Sequence, residues 1–106
     1  MPLRLIEVLP ALAAELEELL ATQGEHTLAT QVRELNIVDR CRCGDDFCST
    51  FYTEPRPQGS YGKGHRNVEL EPADGMLILD VVKEKIVCVE VLYRDEIKRT
   101  LHAALP

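Results

Sequence analysis

The chain has 106 residues, of which 45% are hydrophobic, and its formal net charge at pH 7 is -6. A chain of this length predicts one domain, residues 1–106, with a single modest core. The acidic balance argues against generic binding to DNA, RNA or an anionic membrane, because those partners require a basic surface.

The first residues predict neither a secretory signal nor a membrane span. Pro10 interrupts the first apolar stretch and Glu7 adds a charge to it. No run in the chain approaches the roughly 18 apolar residues of a membrane-spanning helix. We therefore expect a cytoplasmic protein whose cysteines are reduced.

The N-terminal third has helical periodicity. Leucines recur at helical spacing between Leu3 and Leu20, and glutamates lie on the opposite side. This pattern predicts a helix over about residues 10–22, with Pro10 in its first turn. Gly24 is a typical helix stop, and about residues 25–34 then predict a second helix.

From Asn36 onward the periodicity changes to two, which is typical of strands. It predicts a hairpin with strands over about residues 36–43 and 47–53, joined by the turn Gly44-Asp45-Asp46. Residues 54–67 contain two prolines and three glycines without apolar periodicity, so we expect a long loop there. A short strand is predicted over about residues 68–71.

Two runs rich in Val, Ile and Leu, around Lys83-Glu84-Lys85, predict a central antiparallel hairpin. We place its strands at about 76–82 and 86–93 with a three-residue loop, so that Asp80 lies opposite Cys88. One face is wholly apolar and should pack under helices: Leu77, Leu79, Val81, Val87, Val89 and Val91. The other, here called the mixed face, comprises Met76, Ile78, Asp80, Val82, Ile86, Cys88, Glu90 and Leu92.

About residues 95–105 predict a closing helix with Ile97, Leu101 and Leu105 inward. The predicted fold class is therefore α+β: two N-terminal helices, an antiparallel sheet of four or five strands, and a C-terminal helix.

The stretch from Gly75 to Glu96, with I-L-D, a turn and then I-V-C-V-E-V-L, resembles the closing hairpin of small bacterial domains of unknown function. In that group a glycine usually stands where this chain has Cys88, and the upstream cysteine-rich segment is not part of the pattern. The resemblance covers about a fifth of the chain. It implies the fold and no activity.

Cys41, Cys43 and Cys48 form the pattern C-x-C-x4-C. On a strand, Cys41 and Cys43 would point the same way about 6.5 to 7 Å apart, unlike the C-x2-C knuckles of most structural zinc sites. A zinc site with Cys88, His65 or His26 as the fourth ligand is one interpretation. Buried thiols that act as small hydrophobes are the interpretation we prefer. A redox pair of Cys43 and Cys48 is disfavoured by the neighbouring carboxylates.

A second candidate group is acidic. Asp80 and Glu90 with His65 could bind a divalent cation or do acid–base work as a hydrolase, but a solvated, salt-bridged sheet face is favoured. The loop 59–66, G-S-Y-G-K-G-H-R, lacks the spacing of a phosphate loop. Tyr61 in this loop could serve as a recognition residue.

These patterns favour a non-enzymatic protein-interaction or regulatory module. The apolar members of the mixed face predict a homodimer or an unknown protein partner there, with Tyr61, His65, Asp80 and Glu90 as partner-binding residues. The alternative hypothesis is a small zinc-binding domain that uses Cys41, Cys43, Cys48 and Cys88. Neither hypothesis involves nucleic acid or a membrane.

Overall fold

Helices flank an antiparallel sheet in the computed structural model, which describes residues 2–106. The helices are α1 (Leu5–Val8), α2 (Pro10–Thr22), α3 (His26–Gln31), which a 3-10 turn (Val32–Glu34) extends, and α4 (Asp95–Ala104). The strands are β1 (Leu3–Arg4), β2 (Asn36–Ile37), β3 (Asp39–Arg40), β4 (Phe51–Tyr52), β5 (His65–Leu70), β6 (Met76–Val82) and β7 (Lys85–Leu92). The predicted α+β class is confirmed.

The main sheet has five strands in the order β3-β4-β7-β6-β5, and all neighbours are antiparallel. β1 and β2 pair separately as a two-stranded sheet that the sequence patterns did not predict. The long hairpin β6–β7 therefore lies in the interior of the main sheet, and both of its outer edges are paired.

The helical predictions match the structure closely. α2 covers the predicted range and begins at Pro10, where the missing N–H would have had no partner in any case. The predicted second helix is α3 with its 3-10 extension. The four-residue α1 was not predicted, and Leu5 in it is fully buried.

The turn of the central hairpin differs from the prediction. It has two residues, Lys83 and Glu84, with φ values of 50° and 62°, as a type I′ turn requires. Such a turn matches the twist of its strands, and it pairs Val82 with Lys85. A β-bulge then absorbs one residue, so that Asp80 still faces Cys88 as predicted.

The bulge exchanges two side chains between the faces of the sheet. Ile86, which was predicted on the mixed face, pairs with Val81 and is 1% exposed in the core. Val87, which was predicted on the apolar face, is the extra residue of the bulge; it is half-buried and outside the core. The predicted faces were otherwise correct for β6 and β7.

Helices cover the apolar face of the hairpin and form the core with it. The core-facing sheet residues are Phe51, Val68, Leu70, Leu77, Leu79, Val81, Ile86, Val89 and Val91, and the helices contribute Leu5, Leu12, Leu16, Leu20, Leu28, Ile97 and Leu101. Burying an aliphatic side chain of this size stabilises the fold by about 1.5 to 3 kcal/mol.

Two arginines join the helices to the hairpin. Arg66 on β5 donates to Glu25, before α3, and to Glu84 in the turn, each at 2.9 Å. Arg94, only 14% exposed, donates to Glu15 on α2 at 3.0 Å. Each guanidinium makes two charge-assisted hydrogen bonds to one carboxylate, and such paired bonds fix the orientation of the two side chains as well as stabilising the contact.

The first hairpin is shorter than predicted. Only β3 and β4 pair in it, because β2, which was predicted as the start of its first strand, pairs with β1 instead. Backbone hydrogen bonds still join Val38 to Tyr52 and Cys41 to Thr50, each at 2.8 Å. The prediction of an extended strand through Cys43 was wrong, and the segment from Cys41 to Cys48 is a loop.

The bulge can be tested by truncating adjacent residues. Ile86→Ala should destabilise the protein by about 2 to 5 kcal/mol, because it leaves a cavity in the core. Val87→Ala, one position away, should cost less than about 1 kcal/mol because Val87 lies outside the core. Urea unfolding of both variants measures the two losses. Equal losses, or a larger loss at Val87, would contradict the bulged register.

Candidate functional site

The loop between β3 and β4 carries three of the four cysteines. It leaves the sheet at Cys41, turns at Gly44, where φ is +82°, and closes with a hydrogen bond from the Cys48 N–H to the Asp45 carbonyl at 3.2 Å. Cys48 then forms an isolated antiparallel bridge with Leu92 of β7. Both ends of the loop are therefore fixed to the main sheet.

This folded loop brings the three thiols together. The Sγ atoms of Cys41, Cys43 and Cys48 all lie within 4.8 Å of one another. All three cysteines are free, with Cys43 exposed and the other two half-buried. An extended strand would have held Cys41 and Cys43 farther apart. The chain instead bends at Cys43, and the turn at Gly44 then brings Cys48 back toward the other two cysteines. The three thiols lie close enough together to bind a metal ion.

Cys88 lies apart from this cluster. It is on β7 between Asp80 and Tyr52 in the sheet, and it is 2% exposed. The other sequence-predicted fourth ligands are also elsewhere: His65 contacts Asp80, and His26 is exposed at the start of α3.

The C-terminal helix forms the opposite wall of a cleft over the thiols. This cleft has a volume of about 190 Å³ and is lined by Arg40, Cys41, Arg42, Cys43, Gly44, Asp45, Cys48, Lys98 and His102. The Lys98 ammonium donates to the carbonyls of Asp45 and Asp46 at 2.8 and 2.9 Å. Arg40 at the end of β3 donates to the Leu105 carbonyl, just after α4, at 2.5 Å. The C-terminal helix is therefore bound both to the cysteine loop and to the strand that precedes it.

The pKa values of Cys43 and Cys48 are shifted in opposite directions within the cleft. Burial raises the pKa of Cys48, but hydrogen bonds from Thr50 and from the other two thiols outweigh it, and the net pKa is lowered. The Asp45 N–H lowers the pKa of Cys43, but hydrogen bonds with Cys41 and Cys48 outweigh it and raise the pKa to about 11. Without a metal, a negative charge therefore resides on Cys48 before it resides on Cys43.

Lys98 and His102 are the site residues that sequence reasoning missed. Their only local signal is helical: they are four residues apart on the predicted C-terminal helix and so share one face. Nothing in the sequence around them indicates that this face lies against the cysteine loop. Burial and the charges of Arg40, Lys98 and Arg42 lower the pKa of His102, which favours the neutral imidazole.

A second cluster lies on the mixed face, around Asp80. This carboxylate accepts hydrogen bonds from Asn67 at 2.7 Å and contacts His65 Nε2 at 2.8 Å. Asp80 is 6% exposed, so the expectation of a wet face is wrong at this position. Tyr61 packs against His65, with ring centroids 4.8 Å apart and the rings tilted by 41°, and it lies beside Cys88, so the 54–64 loop covers the middle of the face.

The pKa of Asp80 is lowered and the pKa of Glu90 is raised. Burial raises the pKa of Asp80, but hydrogen bonds with Glu90, His65 and Asn67 outweigh it and keep the pKa low. Burial and the neighbouring Asp80 charge raise the pKa of Glu90 to about 7. The pair therefore favours a protonated Glu90 that donates to an ionised Asp80, which is the arrangement of a satisfied structural network.

The glycine loop does not assemble an anion site. His65 and Arg66 are successive residues of β5, so they point to opposite faces, and Arg66 is bound to Glu25 and Glu84. Of the sequence-predicted partner-binding residues, the structure brings Tyr61, His65, Asp80 and Glu90 together on the mixed face.

No protein family, curated protein or solved structure matches the chain. The resemblance of the hairpin to small bacterial domains therefore stays a prediction. Among residues 2–106, no helix has the length and apolar character needed to cross a membrane.

Glu90→Gln should change how stability depends on pH. The pKa of Glu90 is raised from 4.5 to about 7 on folding, so the folded state binds this proton more tightly than the unfolded state. The resulting stabilisation is present below about pH 4.5 and is lost as pH rises through about 7. A pKa shift of this size corresponds to at most about 3 kcal/mol, and solvent screens part of it because Glu90 is only half-buried. The wild type should therefore lose on the order of 1 to 2 kcal/mol relative to the glutamine variant over this range.

Urea unfolding at a series of pH values measures this difference. Glu69→Gln is the matched control, because Glu69 is an exposed carboxylate on the same sheet face. Stability curves for wild type and Glu90→Gln that stay parallel from about pH 4.5 to 7 would show that Glu90 does not titrate this way.

Proposed function

We propose that this chain is a small, non-enzymatic zinc-binding domain in which Cys41, Cys43 and Cys48 hold the ion. The observation that carries the proposal is the approach of the three Sγ atoms to within 4.8 Å of one another on a single anchored loop. This assignment replaces our preference for buried thiols, because Cys43 is exposed and the other two cysteines are only half-buried.

The spacing of the thiols favours a soft, tetrahedral ion. Zn–S bonds of about 2.3 Å place the sulfurs of a tetrahedral site about 3.8 Å apart. The cluster therefore needs to contract by only about 1 Å from its 4.8 Å limit to bind zinc. Side-chain rotation in a surface loop can supply such a shift, whereas two ligands on an extended strand would have needed a backbone change.

The surrounding charge also favours bound zinc. Three thiolates and Zn²⁺ carry one net negative charge, and Arg40, Arg42 and Lys98 line the same cleft. Cations beside a cysteine stabilise its thiolate. Because the pKa of Cys43 is about 11 without a metal, zinc binding must displace its proton, and affinity should rise with pH.

Metal analysis and melting test the proposal together. Protein purified under reducing conditions without chelator should contain one zinc per chain, and a chelator should lower its melting temperature, because metal binding contributes to folding free energy. Cys43→Ser should abolish the zinc content and remove the effect of the chelator.

Cys88→Ser is the matched control. Cys88 lies outside the cluster and is buried, so this variant should keep its zinc while losing about 1 to 3 kcal/mol of stability. Protein that contains no metal and melts at the same temperature with and without chelator would contradict the proposal.

A second candidate function is protein interaction through the mixed face, with a second copy of the chain as the partner. Met76 on this face is 45% exposed, and two neighbours are partly exposed beside it: Leu92, which pairs with Met76, and Ile78, two residues along β6. Phe47 and Tyr93, which are 42% and 62% exposed, stack on each other with ring centroids 5.4 Å apart. Exposed apolar side chains in contact are typical of interaction surfaces.

Sedimentation at micromolar concentration should then give about twice the chain mass of 11.9 kDa. Met76→Lys should shift the protein to monomer, because it places a charge within the apolar surface. Val38→Lys is the control, since Val38 is also 45% exposed but lies outside the mixed face. A monomeric wild type would exclude the homodimer.

A further inference from the structure

Three thiols leave one position of a tetrahedral zinc site open. Structural zinc sites are almost always closed by four protein ligands, so this chain should supply another. The three candidates considered from the sequence are poorly placed: Cys88 is buried beside Tyr61, His65 is bound to Asp80, and His26 lies at the start of α3.

The structure offers a different residue for this position. His102 lines the same cleft as the three cysteines and is only half-buried. The ligand atoms that lie within 4.8 Å of one another are those of the three thiols alone, so coordination requires the His102 ring to turn toward them. Lys98 lies one helical turn earlier on α4 and holds the carbonyls of Asp45 and Asp46. Because side chains four residues apart share a helix face, this contact places the face that carries His102 against the cysteine loop.

The position of α4 is fixed independently of the loop. Ile97 and Leu101 are 3% and 0% exposed in the core, so the helix cannot rotate without breaking that packing. The face that carries Lys98 and His102 is thus held over the thiols before any metal binds. A ligand on this face costs little further ordering, which favours its use in coordination.

We propose that His102 is the fourth zinc ligand and completes a Cys3His centre that joins the β3–β4 loop to the C-terminal helix. This inference rests on the proposed zinc function. A neutral imidazole leaves the centre with one negative charge, which the cations of the cleft can balance. A fourth thiolate would add a second negative charge and would have to come from the buried Cys88.

Cobalt(II) substitution tests the ligand set, because tetrahedral cobalt has visible absorption that depends on the number of sulfur ligands. Under reducing conditions the wild type should give a tetrahedral spectrum at one equivalent. His102→Ala should weaken cobalt and zinc binding by about tenfold or more and alter the spectrum, since it removes a direct ligand. His26→Ala and Cys88→Ser should leave spectrum and affinity unchanged.

His102→Cys provides a rescue that does not depend on the stability of the alanine variant. It should restore tetrahedral binding with the spectrum of a four-sulfur site, because it puts a zinc-binding thiolate on the same face of α4, although its sulfur reaches less far than the imidazole. Circular dichroism of each variant before titration shows that the comparison is made on folded protein.

The outcomes separate this inference from the proposed function. If Cys43→Ser loses cobalt while His102→Ala binds it like wild type, the inference is overturned and the three-cysteine site stands. If Cys88→Ser rather than His102→Ala changes the spectrum, Cys88 is the fourth ligand and the inference is again overturned. If the wild type binds neither cobalt nor zinc, both the function and the inference fall.

Discussion

Burial of the apolar face of the β6–β7 hairpin is the constraint on which the rest of the structure depends. Leu77, Leu79 and Val89 are almost fully buried, and residues of this kind contribute about 1.5 to 3 kcal/mol each. A surface ion pair contributes about 0 to 1 kcal/mol. Helix packing therefore determines the architecture, and the arginine contacts then fix how the helices are oriented on the sheet. The cysteine loop is positioned by this same packing, since α4 lies over it only because Ile97 and Leu101 enter the core.

The fold was largely predictable because its signals are local. Periodicity located α2 and the long strands, and alternation sorted the hairpin faces everywhere except at Ile86 and Val87. That exception has a physical cause. Simple alternation allowed the pairing of Asp80 with Cys88 only with a three-residue loop, whereas the chain uses a tighter turn and restores the pairing with a bulge. A bulge leaves no distinctive residue pattern, so alternation alone cannot detect it.

The candidate site was predictable in its residues but not in its geometry. C-x-C-x4-C identifies the ligand-bearing segment, but strand spacing placed Cys41 and Cys43 too far apart, because the chain bends at Cys43 where an extended strand was predicted. His102 could not be predicted, since its approach to the loop depends on tertiary packing between distant parts of the chain. The Asp80 network was predicted as a group, but Tyr61 buries it, and the burial of a sheet face by a loop is likewise a tertiary property.

At the tip of the hairpin, the backbone conformation of Lys83 and Glu84 and the contacts of the Glu84 side chain favour different residues. Both residues hold a left-handed backbone that Asn or Gly adopts at lower cost, so Asn-Gly would relieve local strain. The Glu84 carboxylate, however, shares Arg66 with Glu25, next to the first residue of α3. Replacing Glu84 would relieve the backbone strain but would remove one of the two carboxylates that Arg66 binds between the sheet and the helices. The residue that the backbone of this turn favours is therefore not the residue that its side-chain contact favours.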